Sequence, residues 1–252
     1  MKVLILGGTS EASELGRALA AEPGIQATIS LAGRTHHPAP QPLPSRSGGF
    51  GGVEGLVSYL VENHIDALID ATHPFAAQIS RNAEAAARQT DTALLVIQRP
   101  AWRKQPDDRW IDVPDLPAAA LALGRAPRRV LLTIGQKDLT PFVAAPWHHY
   151  VLRSVDAPRA EQLPPRAEVI TARGPFALEA ECALLRERGI DLLVTKNSGG
   201  TATEAKLTAA RLRDLPVVMV ARPPPPTAES VATVPEALAW LARHQATHRR
   251  GE

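Results

Sequence analysis

The opening residues constrain the fold most. Lys2–Leu6 is a short apolar run closed by Gly7-Gly8, and helical spacing follows at once, with Ala12, Leu15, Ala18 and Leu19 at three- and four-residue steps. Thr9 or Ser10 can cap this helix, Glu11 and Glu14 suit its first turn, and Pro23-Gly24 stops it. The same alternation then repeats. Strands are predicted at Gln26–Leu31, Ala67–Asp70, Ala93–Ile97, Trp110–Val113, Val130–Thr133, Tyr150–Ser154, Glu168–Thr171, Leu192–Thr195 and Val217–Val220. Helices are predicted at Val53–Glu62, Phe75–Gln89, Leu116–Leu123, Phe176–Arg188, Thr203–Arg213 and Pro235–Arg243, with Pro74 at a first helical position. Nearly all-apolar strands alternating with helices imply parallel sheets covered on both faces.

A chain of 252 residues accommodates two such lobes. The expected class is α/β, two Rossmann-like lobes with mainly parallel sheets around a central cleft, where ligands would meet the carboxyl ends of the strands. Gly124–Arg129 is the predicted linker, giving lobes over residues 1–124 and 129–245 and a frayed tail over 246–252. Pro223–Pro226 reads as a stiff connector. Residues 32–52, rich in Pro and Gly, form a loop long enough to suggest function.

Composition excludes several classes. No apolar stretch approaches the roughly 18 residues that span a bilayer, and no signal peptide is recognisable, so a cytoplasmic protein without membrane contact is expected. Cys182 is the single cysteine, which rules out an internal disulfide framework and a cysteine-based metal cluster. A net charge of +2 argues against nucleic-acid binding. Of 28 basic residues only five are Lys, and the guanidinium fork of Arg suits carboxylates and phosphates.

Candidate binding residues cluster after strands. Gly7, Gly8, Thr9 and Ser10 join a strand to a helix N-terminus, where free N–H groups and the helix dipole favour a phosphate. The motif is neither a full G-x-G-x-x-G nor a Walker A loop, and a turn without a ligand would look the same. An NAD site carries an acid near the end of the second strand; Thr28–Arg34 has none and instead offers Ser30 and Arg34, which suit a 2′-phosphate. Gly48-Gly49-Phe50-Gly51-Gly52 would let backbone approach a flat ligand, with Phe50 packing on a ring; a flexible loop is the alternative. Asp70–Ala76 places Thr72 and His73 at a strand end. Thr195–Thr201 does the same for Lys196, Asn197, Ser198, Gly199 and Gly200, where a capping turn is the alternative. Arg99 and Arg173 also follow strands. The Tyr-x-x-x-Lys acid of short-chain dehydrogenases and the Gly-x-Ser-x-Gly elbow are missing, and His36-His37 and His148-His149 lack the spacing of a helical zinc site.

These blocks, in order along nearly the whole chain, resemble the precorrin-6x reductases of cobalamin (vitamin B12) biosynthesis. The Asp70–Ala76 and Thr195–Gly200 blocks together carry the specificity of the likeness. The resemblance implies an NADPH-dependent oxidoreductase that saturates one macrocycle double bond of precorrin-6A, without metal or flavin. The substrate would be a tetrapyrrole-derived macrocycle bearing many carboxylates, which pair well with guanidinium groups. Gly7–Ser10, Ser30, Arg34, Thr72 and His73 are the expected cofactor residues. Phe50, Gly51, Arg99, Arg173 and Lys196–Gly200 are the expected substrate residues, with Lys196 and His73 as candidates for electrostatic help or proton delivery. Transient contact with neighbouring pathway enzymes is a further expectation. A related anaerobic-pathway enzyme acts on the cobalt-containing macrocycle. A nucleotide-sugar glycosyltransferase and a non-catalytic NADP-binding regulator are rival readings; the first would want a metal carboxylate pair, which the sequence lacks.

Overall fold

In the computed structural model, which describes residues 1–33, 40–225 and 227–251, the apolar runs are strands in two parallel sheets. The first unit, Met1–Pro100 with Pro223–Glu252, contains β1 (Lys2–Leu6), α1 (Ser10–Leu19), β2 (Gln26–Leu31), β3 (Ser45–Ser47), α2 (Val53–Glu62), β4 (Ala67–Asp70), α3 (Ala77–Thr90) and β5 (Ala93–Ile97). The second unit, Ala101–Arg222, contains β6 (Trp110–Val113), α4 (Leu116–Ala122), β7 (Arg129–Thr133), α5 (Thr140–Val143), β8 (His149–Ser154), β9 (Ala167–Thr171), α6 (Leu178–Glu187), β10 (Leu192–Lys196), α7 (Ala205–Leu212) and β11 (Val217–Val220). The chain then returns to the first unit for β12 (Ser230–Val231) and α8 (Val234–Gly251).

The first sheet runs β12-β5-β4-β1-β2-β3, all parallel. Read from β3, this is the 3-2-1-4-5-6 order of a dinucleotide-binding fold, with β12 in the sixth place. The second sheet, β6-β11-β10-β7-β8-β9, has the same order counted from β9, with β6 in the sixth place. Each sheet's sixth strand therefore follows the other sheet's fifth in sequence.

Side-chain alternation builds the core. Val3, Ile5, Ile29 and Ile69 pack with Leu15 and Leu19 of α1 and Trp240 and Leu241 of α8. Leu4, Leu6 and Leu68 face the other way, onto Leu56 and Leu60 of α2 and Ala83, Ala86 and Ala87 of α3. In the second unit Leu131, Val151, Leu193 and Met219 pack with Leu185 of α6 and Leu207 of α7.

Four expectations are corrected. The division does not fall at Gly124–Arg129: Trp110–Val113 pairs with Val217–Val220, which draws α4 and the preceding segment into the second unit, and residues 223–252 leave it. The units thus change at Pro100 and Pro223, not at the glycine. The tail beyond Ala246 continues α8 to Gly251. Pro74 lies in a turn, closed by the Ala76 N–H on the His73 carbonyl (2.7 Å), and α3 starts only at Ala77. Proline presets the second position of such a turn as readily as a first helical turn. The long loop of residues 32–52 contains β3, whose Ser-Arg-Ser sequence carries no apolar pattern.

Candidate active site

Parallel strands gather their carboxyl ends on one edge of each sheet, and the edge is most open where strand order reverses. In the first unit that switch lies between β1 and β4. Gly7 packs so closely that an added Cβ would lie 2.9 Å from Ile29 Cγ2. Gly8 has φ +117°, a conformation that favours glycine, and open space where a Cβ would point. Thr9 caps α1: its Oγ1 accepts the Ala12 N–H (3.2 Å) and donates to the Ala71 carbonyl (2.7 Å), tying the glycine turn to the end of β4. Ahead of the first intrahelical bond, from Ser13 to the Thr9 carbonyl, the Ser10 and Glu11 N–H groups have no acceptor inside the helix, while that of Ala12 is capped by Thr9. Ser10 donates to Glu11 (3.0 Å), and Glu11 pairs with Arg99 (2.8 Å) across the same unit. The guanidinium expected at a substrate carboxylate is therefore paired with Glu11 beside the glycine turn.

At the end of β4, Asp70 Oδ1 accepts both the backbone N–H (3.0 Å) and the hydroxyl (2.7 Å) of Thr72, closing an Asx turn. Its Oδ2 is buried with no partner among the described residues. His73 Nδ1 accepts the Phe75 N–H (3.2 Å).

At the end of β2, Ser30 is buried and accepts a hydrogen bond from Arg46 Nη1 (2.7 Å), its register partner on β3. Arg34 lies outside the described residues. Arg46 was not among the residues singled out by sequence; the only signal was a guanidinium in a polar triplet just before the glycine run. Phe50, expected to pack on a ligand ring, lies under it: the Arg46 guanidinium stacks 4.1 Å above the Phe50 ring, and Tyr59 meets Phe50 edge-on. Gly51, with φ +83°, turns the chain beside it. Gly55 explains the rest of the loop, because a Cβ there would lie 1.7 Å from the Phe50 carbonyl oxygen.

In the second unit the switch falls between β7 and β10. Lys196, at the end of β10, forms an ion pair with Asp138, which follows β7. The rest of its block holds backbone. Asn197 Oδ1 accepts the Trp102 N–H (2.8 Å), Asn197 Nδ2 donates to the Trp102 carbonyl (3.1 Å), and the Asn197 carbonyl accepts Arg222 Nε (2.7 Å). The Trp102 indole donates to the Gly200 carbonyl (2.9 Å). Ser198 is buried and donates its N–H to the Lys196 carbonyl (2.7 Å); Gly199 and Gly200 turn with φ +65° and +77°. Asn197 and Gly200 thus fasten the start and end of the unit. Arg173 is exposed after β9. Nearby, Arg153 is buried against Glu181 and stacks 3.9 Å over Phe176.

No group of acidic, histidine or cysteine side chains suited to a metal occurs among the described residues. No helix among them is long and apolar enough to cross a membrane.

Residues 2–242 match the family described as precorrin-6x reductase CbiJ/CobK. The chain belongs to the precorrin-6x reductase family. It is 51% identical over 248 residues to the precorrin-6A reductase of Rhodobacter capsulatus, with 98% of each chain covered. The solved structure of CobK precorrin-6A reductase superposes with a TM-score of 0.92 at 51% identity, over 97% of both chains. A relative named cobalt-precorrin-6A reductase, from Salmonella typhimurium, is 30% identical over 243 residues and 88% of each chain. The family resemblance and the two-sheet α/β class expected from the sequence are both found.

Proposed function

We propose that this chain reduces one ring double bond of precorrin-6A to give precorrin-6B (dihydroprecorrin-6) in cobalamin biosynthesis, with NADPH as the reductant. The observation that carries this reading is the full-length likeness to precorrin-6A reductases, at 51% identity, against 30% for the cobalt-precorrin relative. That contrast favours the metal-free macrocycle over the cobalt-containing one.

The first unit fits a nicotinamide dinucleotide. Gly8 leaves open space at the switch point, Thr9 fixes the turn, and the N–H groups at the start of α1 would hold the pyrophosphate. The acid-free end of β2, with Ser30, would hold a 2′-phosphate better than a bare ribose, and Arg34 belongs to the same stretch. A bound nicotinamide would supply a hydride to one carbon of the double bond, and a proton from solvent or an enzyme acid would complete the saturation at the adjacent position. Thr72 and His73 would border that cofactor beside β4. In the second unit Lys196, with Arg173, would meet macrocycle carboxylates, and the Lys196 ammonium can hold a proton at Nζ beside Asp138. An already electrophilic conjugated system needs little acid help, so Lys196 is assigned to anchoring first.

The test is anaerobic incubation of the purified protein with NADPH and precorrin-6A. Oxidation of one NADPH per macrocycle, with a change in the macrocycle spectrum, is expected. Absence of NADPH oxidation with the metal-free substrate, together with turnover of the cobalt form, would overturn the substrate assignment.

A further inference from the structure

We propose that Arg46 is the residue that selects a dinucleotide bearing a 2′-phosphate, by offering that phosphate one free edge of a guanidinium already fixed on its other edge. The inference rests on the NADPH reading above and names the residue that would decide it. Arg46 Nη1 donates to Ser30 Oγ (2.7 Å) and to the Gly48 carbonyl (3.0 Å), and Nη2 donates to the Gly49 carbonyl (3.2 Å). A guanidinium has five N–H donors. Three are engaged, and those left among the described residues are Nε–H and one N–H of Nη2. The side-on edge of a guanidinium carries Nε–H and one N–H of Nη2, the fork that meets two phosphate oxygens at once.

Charge and orientation agree with that role. Every acceptor of Arg46 among the described residues is neutral, and it joins no ion pair there, so its positive charge is not cancelled by a carboxylate. Phe50 beneath it at 4.1 Å and Tyr59 at 5.3 Å hold the guanidinium plane without neutralising it. Ser30, to which it is tied, stands at the end of β2, where this fold meets the ribose next to adenine. A residue serving only to shape the glycine loop would need the carbonyl bonds alone. The uncompensated charge and the spare fork are what such a role leaves unexplained.

The experiment titrates NADPH, NADH and 2′,5′-ADP against the purified full chain and its Arg46→Met and Arg46→Lys variants. The native protein should prefer NADPH. Arg46→Met should weaken NADPH and 2′,5′-ADP by about 10- to 150-fold, the range for a lost charge-assisted contact, while NADH changes less than about twofold. Arg46→Lys keeps the charge without the fork and should fall between. Equal weakening of NADPH and NADH in the variants would make Arg46 a loop-shaping residue and overturn the inference. So would full NADPH preference in both variants, which would leave the NADPH reading standing. Equal affinity of the native protein for NADPH and NADH would overturn that reading itself, and the inference with it.

Discussion

Lys196 and Gly8 show what single residues are expected to contribute. Lys196 is not a solitary cation but one half of an ion pair with Asp138 at the switch point of the second sheet. A substrate carboxylate would have to share or replace Asp138. If Lys196 anchors substrate, Lys196→Ala raises KM with little change in kcat, because uniform binding is lost. If it acts in the transition state, kcat and kcat/KM fall together, by about 10²- to 10⁴-fold for a general acid. We expect the first pattern; steady-state kinetics over a range of pH separates the two. Native values of both constants would make the pair structural. At Gly8, φ is +117° and the space beyond is open, so Gly8→Val introduces backbone strain and a branched side chain at the glycine turn. Strain of about 1–2 kcal/mol is expected, which lowers Tm by about 2–8 °C for a protein of this size, while NADPH binding is abolished. Unchanged NADPH titration would move the pyrophosphate elsewhere. Residue types alone pointed to these two positions correctly as polar or turning strand ends. They could not show that both ends of the Asn197 amide hold Trp102, since that pairing joins residues 95 apart in sequence, nor that Phe50 lies under Arg46, four residues away, since a glycine-rich loop has no side-chain periodicity to read.

At the scale of elements, legibility followed burial. β1, β4, β10 and β11 are almost wholly apolar because both faces of each are covered, and their positions in the sequence are unmistakable. β3 and β12 are short edge strands made by Ser-Arg-Ser and Ser-Val, with no alternation to read. Pro74 and Ala76 show a different failure, since a turn and a helix start use the same residues there. The start of β8 carries a pH-dependent contribution that sequence could not reveal. His148 is fully buried before β8, its Nε2 against the Gly124 carbonyl (3.1 Å), with Nδ1 unpartnered among the described residues. Burial pushes its pKa below the ordinary 6.5, Arg128 pushes the same way, and the Gly124 carbonyl opposes them. The unfolded chain therefore takes up a proton below about pH 6.5 that the folded chain refuses until lower pH. Stability from this site is complete above the unfolded value and declines as pH falls toward the folded one. Urea unfolding at pH 7.5 and 5 should show a larger acid loss in the native protein than in His148→Phe. An equal loss in both would assign the acid sensitivity to other groups.

For the molecule as a whole, the decisive feature is where the chain changes units. β6 follows β5 in sequence yet joins the second sheet, and β12 follows β11 yet joins the first. Apolar pattern finds strands but not their partners, so a split at Gly124 looked natural. Only the pairing of Trp110–Val113 with Val217–Val220 exposes the true division. The exchange makes the units unequal in autonomy. Residues 101–222 contain all six strands of their sheet in one continuous piece. Residues 1–100 lack β12 and α8, and with them Val234, Ala237, Trp240 and Leu241, all part of the first core. Burial of each large side chain contributes roughly 1.5–3 kcal/mol, so losing this set removes an amount comparable to the whole net stability of a typical domain, about 5–15 kcal/mol. Trp240 also donates its indole N–H to Glu229 (2.9 Å), which fixes α8 to the segment leading into β12. Expressed alone, residues 101–222 should unfold in a single cooperative urea transition with native-like circular dichroism. Residues 1–100 alone should show none, and should gain a transition when residues 223–252 are fused to their C-terminus through a flexible linker. A cooperative transition in residues 1–100 without that addition would mean that five strands and three helices suffice, and that the returning segment completes the sheet without being needed to hold it.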